Sequence, residues 1–576
     1  MPPFDPKRII TFIVGLLAVF TALISGGIYP WSRDVFTIGA AMAFLLALTG
    51  MGAAFKAIWP VFALLCVNYL ACLWTINLNG TLGGAFQLTG YAFFAYAAAM
   101  AGGGEGRREA LMKAVFAASA VVVVYAIYQY FIGFGHTLEY LKGAGAASEL
   151  SPAAIAAGEN ALINRRAFST TLSPDVLACY IAMTFPVGLG LYQDASTWPG
   201  KAVSGAFLPL AVAALALTKS VGGMIALLTG IGVYMAASRP ASRVLSPRAK
   251  MAAAAALALL FIAGGYFVLS HRLGGPSGVG VSITERLKYW YAAAEMAVRA
   301  PILGFGPGSY QVLFTRYNNW GVSESRYAHN LPLQALAETG VLGLAALALV
   351  FFYFFRAGLK RRGQGDAFAP AILAGGTAFL AHNLIDFTYY VPETAALFWL
   401  YFGLSASGGG GTDTCGCARP RLPLVKAAPL LLVLTFGLFY GKAYLAGQRH
   451  DMALAALREA GITDAAQARR APPPAAAVRL AEESVALKPY DDGYHGFLAG
   501  LYEGMAAREG PAYVRKAEAE YAAAIRLNPY YTFYYRDLGL LYLRIGDRAG
   551  ARAEFGYALS RYPSSRAIKG LLAHEK

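Results

Sequence analysis

The sequence predicts an all-α protein, in which a polytopic membrane helix bundle of about 12 to 13 spans precedes a soluble domain of helical hairpins. Two observations support this fold class. Of the 576 residues, 57% are hydrophobic and only 14% are charged, whereas charged residues make up about 25% of an ordinary soluble domain. The hydrophobic residues form long runs within residues 1–446, and residues 447–576 have the composition of water-soluble helices. The composition therefore excludes an ordinary soluble globular protein.

The spans themselves are apolar stretches long enough to cross about 30 Å of hydrocarbon. The first has no small-residue cleavage site and is followed at once by the next, so we interpret it as an anchor and not as a removable signal. The predicted spans lie near residues 9–28, 35–55, 58–76, 82–101, 112–134, 173–192, 203–218, 221–237, 251–270, 333–355, 367–385, 393–407 and 427–446.

The short connections between the spans predict the orientation, because cytoplasmic loops carry an excess of Lys and Arg. With the N-terminus in the cytoplasm, the loops on that side hold eighteen basic residues, and the short loops opposite hold only Arg33 and Lys219. This topology explains the net charge of +16 without a nucleic-acid partner, since residues 449–576 carry 18 basic against 15 acidic residues. It also places residues 447–576 outside the cytoplasm.

Two predicted external loops, at about 135–172 and 271–332, are much longer than the others. Long loops in a compact bundle are usually functional. In the second loop, residues 284–299 have apolar side chains at helical spacing and predict an amphipathic helix at the outer interface. The run 301–308, which contains three glycines and two prolines, predicts a tight turn with close backbone approach.

Residues 447–576 contain a repeated pattern. Helical segments end at Pro529 and Pro563, which are 34 residues apart, and 34 residues is the tetratricopeptide period. Pro489 marks an earlier copy that is out of step by six residues, and we assign the extra length to a loop at 509–514. Such arrays usually bind a partner, so we predict that this domain recruits a protein partner or the acceptor of a reaction.

His329 is the strongest candidate for chemistry. It lies where the second long loop re-enters the membrane, and several arginines are near it in the sequence. Arginine binds phosphate bidentately and histidine titrates near neutral pH, so these residue types suit a site that holds a phosphate and moves a proton. A histidine at a helix N-terminus is also commonly a capping residue. His382 and Asp386, one helical turn apart, are more simply interpreted as a pair that links two spans.

Several motifs of the chain resemble the signature region of the O-antigen ligase and O-antigen polymerase superfamily of bacterial inner membranes. The resemblance covers most of residues 30–446. The similar motifs are Arg286-Leu-Lys-Tyr-Trp290, Pro301-Ile-Leu-Gly-Phe-Gly-Pro-Gly-Ser-Tyr310, Ala328-His329-Asn330 with Gly340-Val-Leu-Gly343 after nine residues, and Arg165-Arg166 followed by Pro174-Asp175.

The chain departs from the family pattern at two places. Asp175 stands where relatives commonly have Asn, and Ser220-Val-Gly222 stands where many relatives have a Ser-Arg-Gly-like step. At the second place, either Lys219 supplies the positive charge instead or the local role is lost.

The resemblance implies a C-type, metal-independent and inverting glycosyltransferase within residues 1–446. Its donor would be a glycan on polyprenyl diphosphate, with no cofactor and no nucleotide sugar. It would lie in the bacterial inner membrane among lipids, with the repeat domain 447–576 in the periplasm. The implied catalytic residues are His329, as the base for the acceptor hydroxyl, with Arg286 and Arg166 against the diphosphate. The implied substrate-binding residues are Lys219, Arg326, Asn330, Arg165 and Tyr310, and no metal site is predicted.

Three functions are compatible with this chemistry, and they differ in the acceptor. A ligase transfers the glycan to lipid A-core, a polymerase transfers it to another lipid-linked glycan, and an oligosaccharyltransferase transfers it to a protein hydroxyl. The spacing from His329-Asn330 to Gly340 favours the ligase. Rivals of another class are a transporter of lipid-linked glycan or solute, and a membrane-tethered scaffold. Few ionisable residues deep in the spans argue against the transporter, and the number of spans exceeds what an anchor requires.

Overall fold

The computed structural model describes residues 5–24, 30–48, 58–143, 152–171, 173–238, 279–317, 325–407, 423–463, 465–469 and 471–574. Within these ranges the protein is helical and contains no strand, which confirms the all-α fold class. Each predicted span that lies wholly or largely in these ranges falls on a helix. The predicted span at 251–270 lies outside the described residues.

The helices of residues 1–459 that the structure describes form the bundle and its connections. In chain order they are α1 (Pro6–Leu23), α2 (Pro30–Ala47), α3 (Trp59–Leu70), α4 (Leu78–Ala101), α5 (Glu105–Tyr128), α6 (Phe134–Lys142), α7 (Pro152–Ile163), α8 (Pro174–Asp194), α9 (Trp198–Thr218), α10 (Val221–Ala237), α11 (Val279–Arg299), α12 (Tyr310–Tyr317), α13 (Leu331–Gly363), α14 (Ala369–Asn383), α15 (Pro392–Ala406) and α16 (Pro423–Glu459).

Several of these helices can cross a membrane. Among the described residues, five are both long and apolar enough, and two shorter apolar helices accompany them. The structure is therefore that of an all-α polytopic membrane protein. The five are Pro6–Leu23, Gly106–Lys142 (α5 and α6 with the π-helical turn between them), Pro174–Asp194, Trp198–Thr218 and Leu331–Gly363, and the two are Trp59–Leu73 (α3 with the 3-10 turn that follows it) and Val221–Ala237.

The centre of the bundle is formed by α4, α8, α14 and α15, most of whose residues are buried. A helix that is apolar on all sides is stable only when other helices or lipid surround it. Helix α15 packs along α4, and α14 packs against both α8 and α10. The many Ala and Gly residues of these helices allow close approach, as is usual between membrane helices. The core holds the ends of α8, α10 and α14 in fixed positions around the site described below.

A break in α13 receives the predicted turn at 301–308. Gly340 has φ +62° and ψ −166° inside α13. The N–H of Val341 donates to the carbonyl of Pro301 over 2.8 Å, and the N–H of Gly306 donates to the carbonyl of Glu338 over 2.7 Å. A Cβ at Gly340 would lie 2.2 Å from the carbonyl oxygen of Ile302. The predicted close backbone approach is thus confirmed.

The Glu338 carboxylate completes this connection. Its Oε1 accepts hydrogen bonds from the N–H groups of Gly308 and Tyr310, at 2.9 and 3.1 Å. Glu338 is 4% exposed, and a buried carboxylate is stabilised by such donors. The first two turns of α13, which follow directly after His329, are therefore fixed to the second long loop.

Replacing Gly340 with Ala should destabilise the protein by at least about 2 kcal/mol. The left-handed backbone costs a non-glycine residue about 1–3 kcal/mol, and the new methyl group would collide with the backbone of Ile302. Thermal unfolding in detergent measures the effect. Gly232→Ala in α10, where the added Cβ meets nothing within 4 Å, is the control and should cost nothing. Equal stability of the two variants would show that the break is not required.

The C-terminal part of the chain is a series of helices joined by short turns. They are α17 (Ala465–Ala468), α18 (Ala475–Leu487), α19 (Asp492–Glu509), α20 (Pro511–Leu527), α21 (Thr532–Arg544), α22 (Arg548–Arg561) and α23 (Arg566–His574). From α18 onward, each helix packs against the next. The turns fall at Pro489, Pro529 and Pro563, as the sequence predicts.

The predicted loop at 509–514 is wrong. Helix α19 ends at Glu509, Gly510 alone makes the turn with φ +87°, and α20 begins at Pro511. Proline is favoured in the first turn of a helix, where its missing N–H costs nothing. The extra residues lengthen α19 and α20 to 18 and 17 residues, against 13 and 14 in α21 and α22.

Helix α16 joins the bundle to the C-terminal helices. It runs for 37 residues, so the domain boundary predicted at 446/447 falls inside it. Its second half packs against α18. A second contact comes from α12, where the Arg316 guanidinium lies 5.8 Å from the centre of the Tyr530 ring. The C-terminal helices thus lie against the end of the bundle that carries the second long loop.

Candidate active site

The predicted catalytic residues converge at one end of the bundle. Five parts of the chain meet there: residues 164–171 with the first turn of α8, the junction of α9 and α10, the first half of α11, the segment before α13, and the segment after α14. Their contacts join residues that are far apart in the sequence, such as Arg166 to Thr218 and Arg286 to Asp386.

Asp386 holds the two residues that are expected to carry out the chemistry. Its Oδ2 lies 3.3 Å from Nη2 of Arg286, and its Oδ1 lies 3.8 Å from Nδ1 of His329. The Asp386 side chain is only 4% exposed, whereas Arg286 is 26% and His329 22% exposed. A buried carboxylate requires such partners. Asp386 therefore places a guanidinium and an imidazole side by side, each with part of its surface open.

Arg166 is fixed on the neighbouring side of the site. Its Nη2 lies 2.9 Å from Oδ1 of Asp175, and its Nε donates to the carbonyl of Thr218 over 2.8 Å. Ser220, the residue before α10, lies near enough to the same Asp175 to stabilise its charge. Asp175, at a departure from the family pattern, therefore ties Arg166 to the junction of α9 and α10.

The surroundings of His329 fix the direction of its ring. The Tyr289 ring stacks on the imidazole at 5.4 Å, and the Phe387 ring meets it edge-on at 4.8 Å. The indole N–H of Trp290 donates to the His329 carbonyl over 3.4 Å. Next in the chain, Asn330 caps α13, since its Oδ1 accepts from the N–H of Leu333 and its Nδ2 donates to the carbonyl of Leu384, both at 2.9 Å. Asn330 thus fixes the backbone next to His329.

Strained backbone is concentrated on the same segments. In the described part of the chain, the non-glycine residues with positive φ are Arg165 (47°), Ser169 (53°), Lys219 (53°) and His329 (53°). Such a conformation costs about 1–3 kcal/mol per residue and typically occurs at functional sites, where the surrounding structure holds it in place. Three of the four are residues that the sequence selected as site candidates.

The other predicted substrate-binding residues lie at different depths. Lys219 is 8% exposed, and its Nζ donates to the carbonyl of Asn164 over 3.2 Å. The Arg165 guanidinium lies 5.9 Å from the centre of the Tyr130 ring. Arg326 lies over the ring of Tyr327 at 5.5 Å and faces a separate cavity.

Tyr310 is a supporting residue in this geometry. It is fully buried, and its hydroxyl donates to the carbonyl of Tyr289 over 3.0 Å. Because Tyr289 stacks on His329, Tyr310 stabilises the wall behind the imidazole and does not reach the open side of the site.

The sequence interpretation of Asp386 as a partner of His382 is wrong. Nδ1 of His382 lies 3.4 Å from the Thr388 hydroxyl, and the Asp386 carboxylate is directed to Arg286 and His329. The reason is that α14 ends at Asn383, so the helical spacing on which the interpretation relied does not continue to Asp386. The sequence points to Asp386 but not to its partners, which lie on other segments of the chain.

The surroundings of His329 favour the neutral form of its imidazole near pH 7. Burial lowers the pKa of its imidazole below the ordinary value of 6.5, Asp386 counteracts this, and Arg286 lowers the pKa further. A neutral imidazole can accept a proton, which a protonated one cannot. Within the described ranges, no group of three or more His, Cys, Asp or Glu side chains is placed to hold a metal ion.

The direction of this pKa shift predicts the pH dependence of any reaction that uses His329 as a base. As the pH falls through the pKa, the base becomes protonated and the rate drops, so the acidic midpoint of kcat/KM should lie below 6.5. Asp386→Asn removes the charge that raises the pKa, and its midpoint should be lower still. Rate profiles of both proteins test this. A midpoint above 6.5, or one that rises in the variant, would contradict the assignment.

A family model described as O-Antigen ligase matches residues 206–348. No curated protein matches the chain. The matched region contains Lys219, Arg286, Arg326 and His329, whereas Arg166 and Asp386 lie outside it and reach the site through the fold. Over this region the chain is similar to the O-antigen ligase superfamily, and this similarity supports a multi-pass membrane enzyme that transfers glycans in the manner of an O-antigen ligase or polymerase.

Proposed function

We propose that the protein transfers a glycan from polyprenyl diphosphate to an acceptor hydroxyl, as an O-antigen ligase with lipid A-core as acceptor. The observation that carries the proposal is the contact of Asp386 with both Arg286 and His329. It brings a guanidinium, which can bind phosphate, and an imidazole, which can act as a base, into one site at the end of the bundle. The family match supports glycan transfer, and the donor, the acceptor and the roles of the residues are our proposals.

In the proposed reaction the diphosphate of the donor binds against Arg166 and Arg286, with Lys219 as a further cation. These groups stabilise the negative charge that develops on the diphosphate as the anomeric C–O bond breaks. Three cations face two carboxylates, Asp175 and Asp386, so the site has the net positive charge that a diphosphate requires. Because guanidinium groups supply the stabilisation, the proposed reaction needs no metal ion, and because the donor is lipid-linked it needs no nucleotide sugar.

His329 accepts the proton of the acceptor hydroxyl while its oxygen forms the new bond to the anomeric carbon. Asp386 beside Nδ1 favours the tautomer that carries its proton there, which leaves Nε2 as the base. The distance of 3.8 Å exceeds a hydrogen bond, and such contacts commonly shorten when substrate binds. A single displacement inverts the anomeric configuration, and polyprenyl diphosphate leaves with the bonding electrons.

The proposed location is the bacterial inner membrane, with the N-terminus in the cytoplasm and the active site and C-terminal helices in the periplasm. The distribution of Lys and Arg supports this orientation. The C-terminal helices, with two turns 34 residues apart, are proposed to be tetratricopeptide-like repeats that bind a partner or acceptor.

The experiment that tests the acceptor is a transfer assay with purified protein in lipid, a polyprenyl-diphosphate glycan and no added metal or nucleotide. Lipid A-core, a second donor molecule and a peptide are offered separately. Product on lipid A-core alone is the result expected for a ligase. A ladder of lengthening chains would instead identify a polymerase, and a glycopeptide would identify a protein glycosyltransferase.

A further inference from the structure

The backbone at His329 is held in a conformation that its own side chain does not favour. Its φ of 53° lies in the left-handed region, which a non-glycine residue keeps only when its surroundings fix it there. Two hydrogen bonds hold the chain around it. The indole N–H of Trp290 donates to the His329 carbonyl over 3.4 Å, and the N–H of the preceding Ala328 donates to Oε1 of Gln334 over 2.6 Å. The shorter hydrogen bond therefore comes from a glutamine that has no role in the reaction proposed above.

Gln334 is itself fixed by its surroundings. It is 1% exposed, and its backbone N–H donates to the carbonyl of Asn330 over 2.9 Å in the first turn of α13. Glu338 follows one helical turn later, and Gln334 lies near enough to stabilise its carboxylate. An amide side chain has an oxygen that accepts and an NH₂ group that donates. Gln334 can therefore hold Ala328 with its oxygen and Glu338 with its nitrogen.

The contacts of Glu338 lead back to the imidazole. Its Oε1 accepts from the N–H of Tyr310 at 3.1 Å, and the hydroxyl of Tyr310 donates to the carbonyl of Tyr289 over 3.0 Å. The Tyr289 ring stacks on the His329 ring. Gln334 therefore lies between the backbone that precedes His329 and the residues that support its imidazole.

The first turn of α13 does not need Gln334 as a cap. Asn330 already has that role, because its Oδ1 accepts from the N–H of Leu333. The Gln334 oxygen instead reaches back six residues, past the N-cap, to the buried N–H of Ala328. This hydrogen bond thus acts on the segment that carries His329 and not on the helix that follows it.

We infer that Gln334 is a positioning residue, which holds the imidazole of His329 in the orientation that proton transfer requires. The inference rests on the proposed function, because Gln334 is assigned no contact with the substrates and acts through His329. A displacement of a reacting group by about 1 Å can lower a rate about 10²-fold. The hydrogen bond from Ala328 is close enough to the base for its loss to have such an effect.

Three substitutions separate this role from a general loss of structure. Gln334→Met keeps the length and the helix propensity of the side chain but removes both hydrogen-bonding groups, and Gln334→Asn keeps the amide but withdraws it by one methylene group. Gln334→Glu keeps an acceptor oxygen in the same place, and two buried carboxylates one helical turn apart can share a proton that replaces the amide N–H. Gln311→Met on α12, where the side chain is exposed, is the matched control.

In the transfer assay, we expect Gln334→Met and Gln334→Asn to lower kcat at least about tenfold, while KM for the donor stays within about twofold of the wild type. Gln334→Glu should recover most of this loss, and Gln311→Met should match the wild type. In the His329→Ala background, Gln334→Met should lower the residual rate no further, because a residue that acts through the base has no effect when the base is absent. An unchanged kcat, or an equal loss in both backgrounds, would overturn the inference.

A second measurement needs no turnover and separates this inference from the proposed function. In the full-length protein with ¹³C-labelled histidine, in nanodiscs, the NMR signal of the His329 imidazole is the one absent from His329→Ala. We expect it to shift or broaden in Gln334→Met, and to stay in place in Gln334→Glu and Gln311→Met. An unmoved signal in Gln334→Met would overturn the inference. A moved signal, with no transfer by the wild type to any acceptor, would contradict the proposed function and still support the positioning of His329 by Gln334.

Discussion

His329→Ala should lower glycan transfer by about 10²–10⁴-fold, the usual contribution of a general base, while the protein remains folded and inserted. The imidazole is the group beside Asp386 that can take the proton of the acceptor hydroxyl, and Ala leaves no replacement. The measurement is the rate of transfer by purified protein in lipid, at saturating donor and acceptor.

His136→Ala is the matched control, because it removes an imidazole that is 83% exposed and away from the site. We expect its rate to equal that of the wild type. Thermal unfolding of both variants shows whether a loss of activity is a loss of structure. Full activity of His329→Ala would remove His329 from the mechanism.

Arg286→Ala should lower transfer by about 10²–10³-fold, the range seen when a group that stabilises developing negative charge is lost. The effect should appear in kcat as well as in kcat/KM, because the guanidinium acts on charge that grows in the transition state. Arg286→Lys keeps a positive charge beside Asp386 but not the bidentate geometry, so partial activity is expected.

Arg299→Ala on the same helix is the control for this variant. Arg299 pairs with Glu295 at the surface, one helical turn away, and faces no part of the site. Its removal should leave the rate within about twofold of the wild type, since exposed ion pairs contribute little. Equal rates for the Arg286 and Arg299 variants would contradict the proposed donor site.

The helices could be predicted because apolar composition is a property of each stretch of sequence by itself. Stretches such as 221–237 and 393–407 fall on helices whose bounds match within one residue. The turn at 301–308 was also predictable, because three glycines and two prolines leave few other conformations. Its docking partner could not be deduced, since the break at Gly340 becomes visible only when the two segments are in contact.

The candidate active site was predictable in part. His329, Arg286 and Arg166 were selected from residue type and family motif, and the structure brings them together. Asp386 was singled out beside His382, but its contacts with Arg286 and His329 could not be predicted, because they depend on where α14 ends and on the packing of α11 against the bundle. The depth of Tyr310 likewise follows from tertiary packing, which the surrounding sequence does not reveal. Sequence spacing predicts which residues are neighbours on one helix, whereas this site is formed by the ends of several helices.

Glycan transfer from polyprenyl diphosphate is tested by measuring the release of polyprenyl diphosphate by the purified protein in liposomes, with a chelator present. We expect one polyprenyl diphosphate to be released for each glycan transferred, with inverted anomeric configuration, and neither product with His329→Ala. Movement of intact donor across the membrane, with no polyprenyl diphosphate released in the presence of any acceptor, would contradict it and identify a transporter.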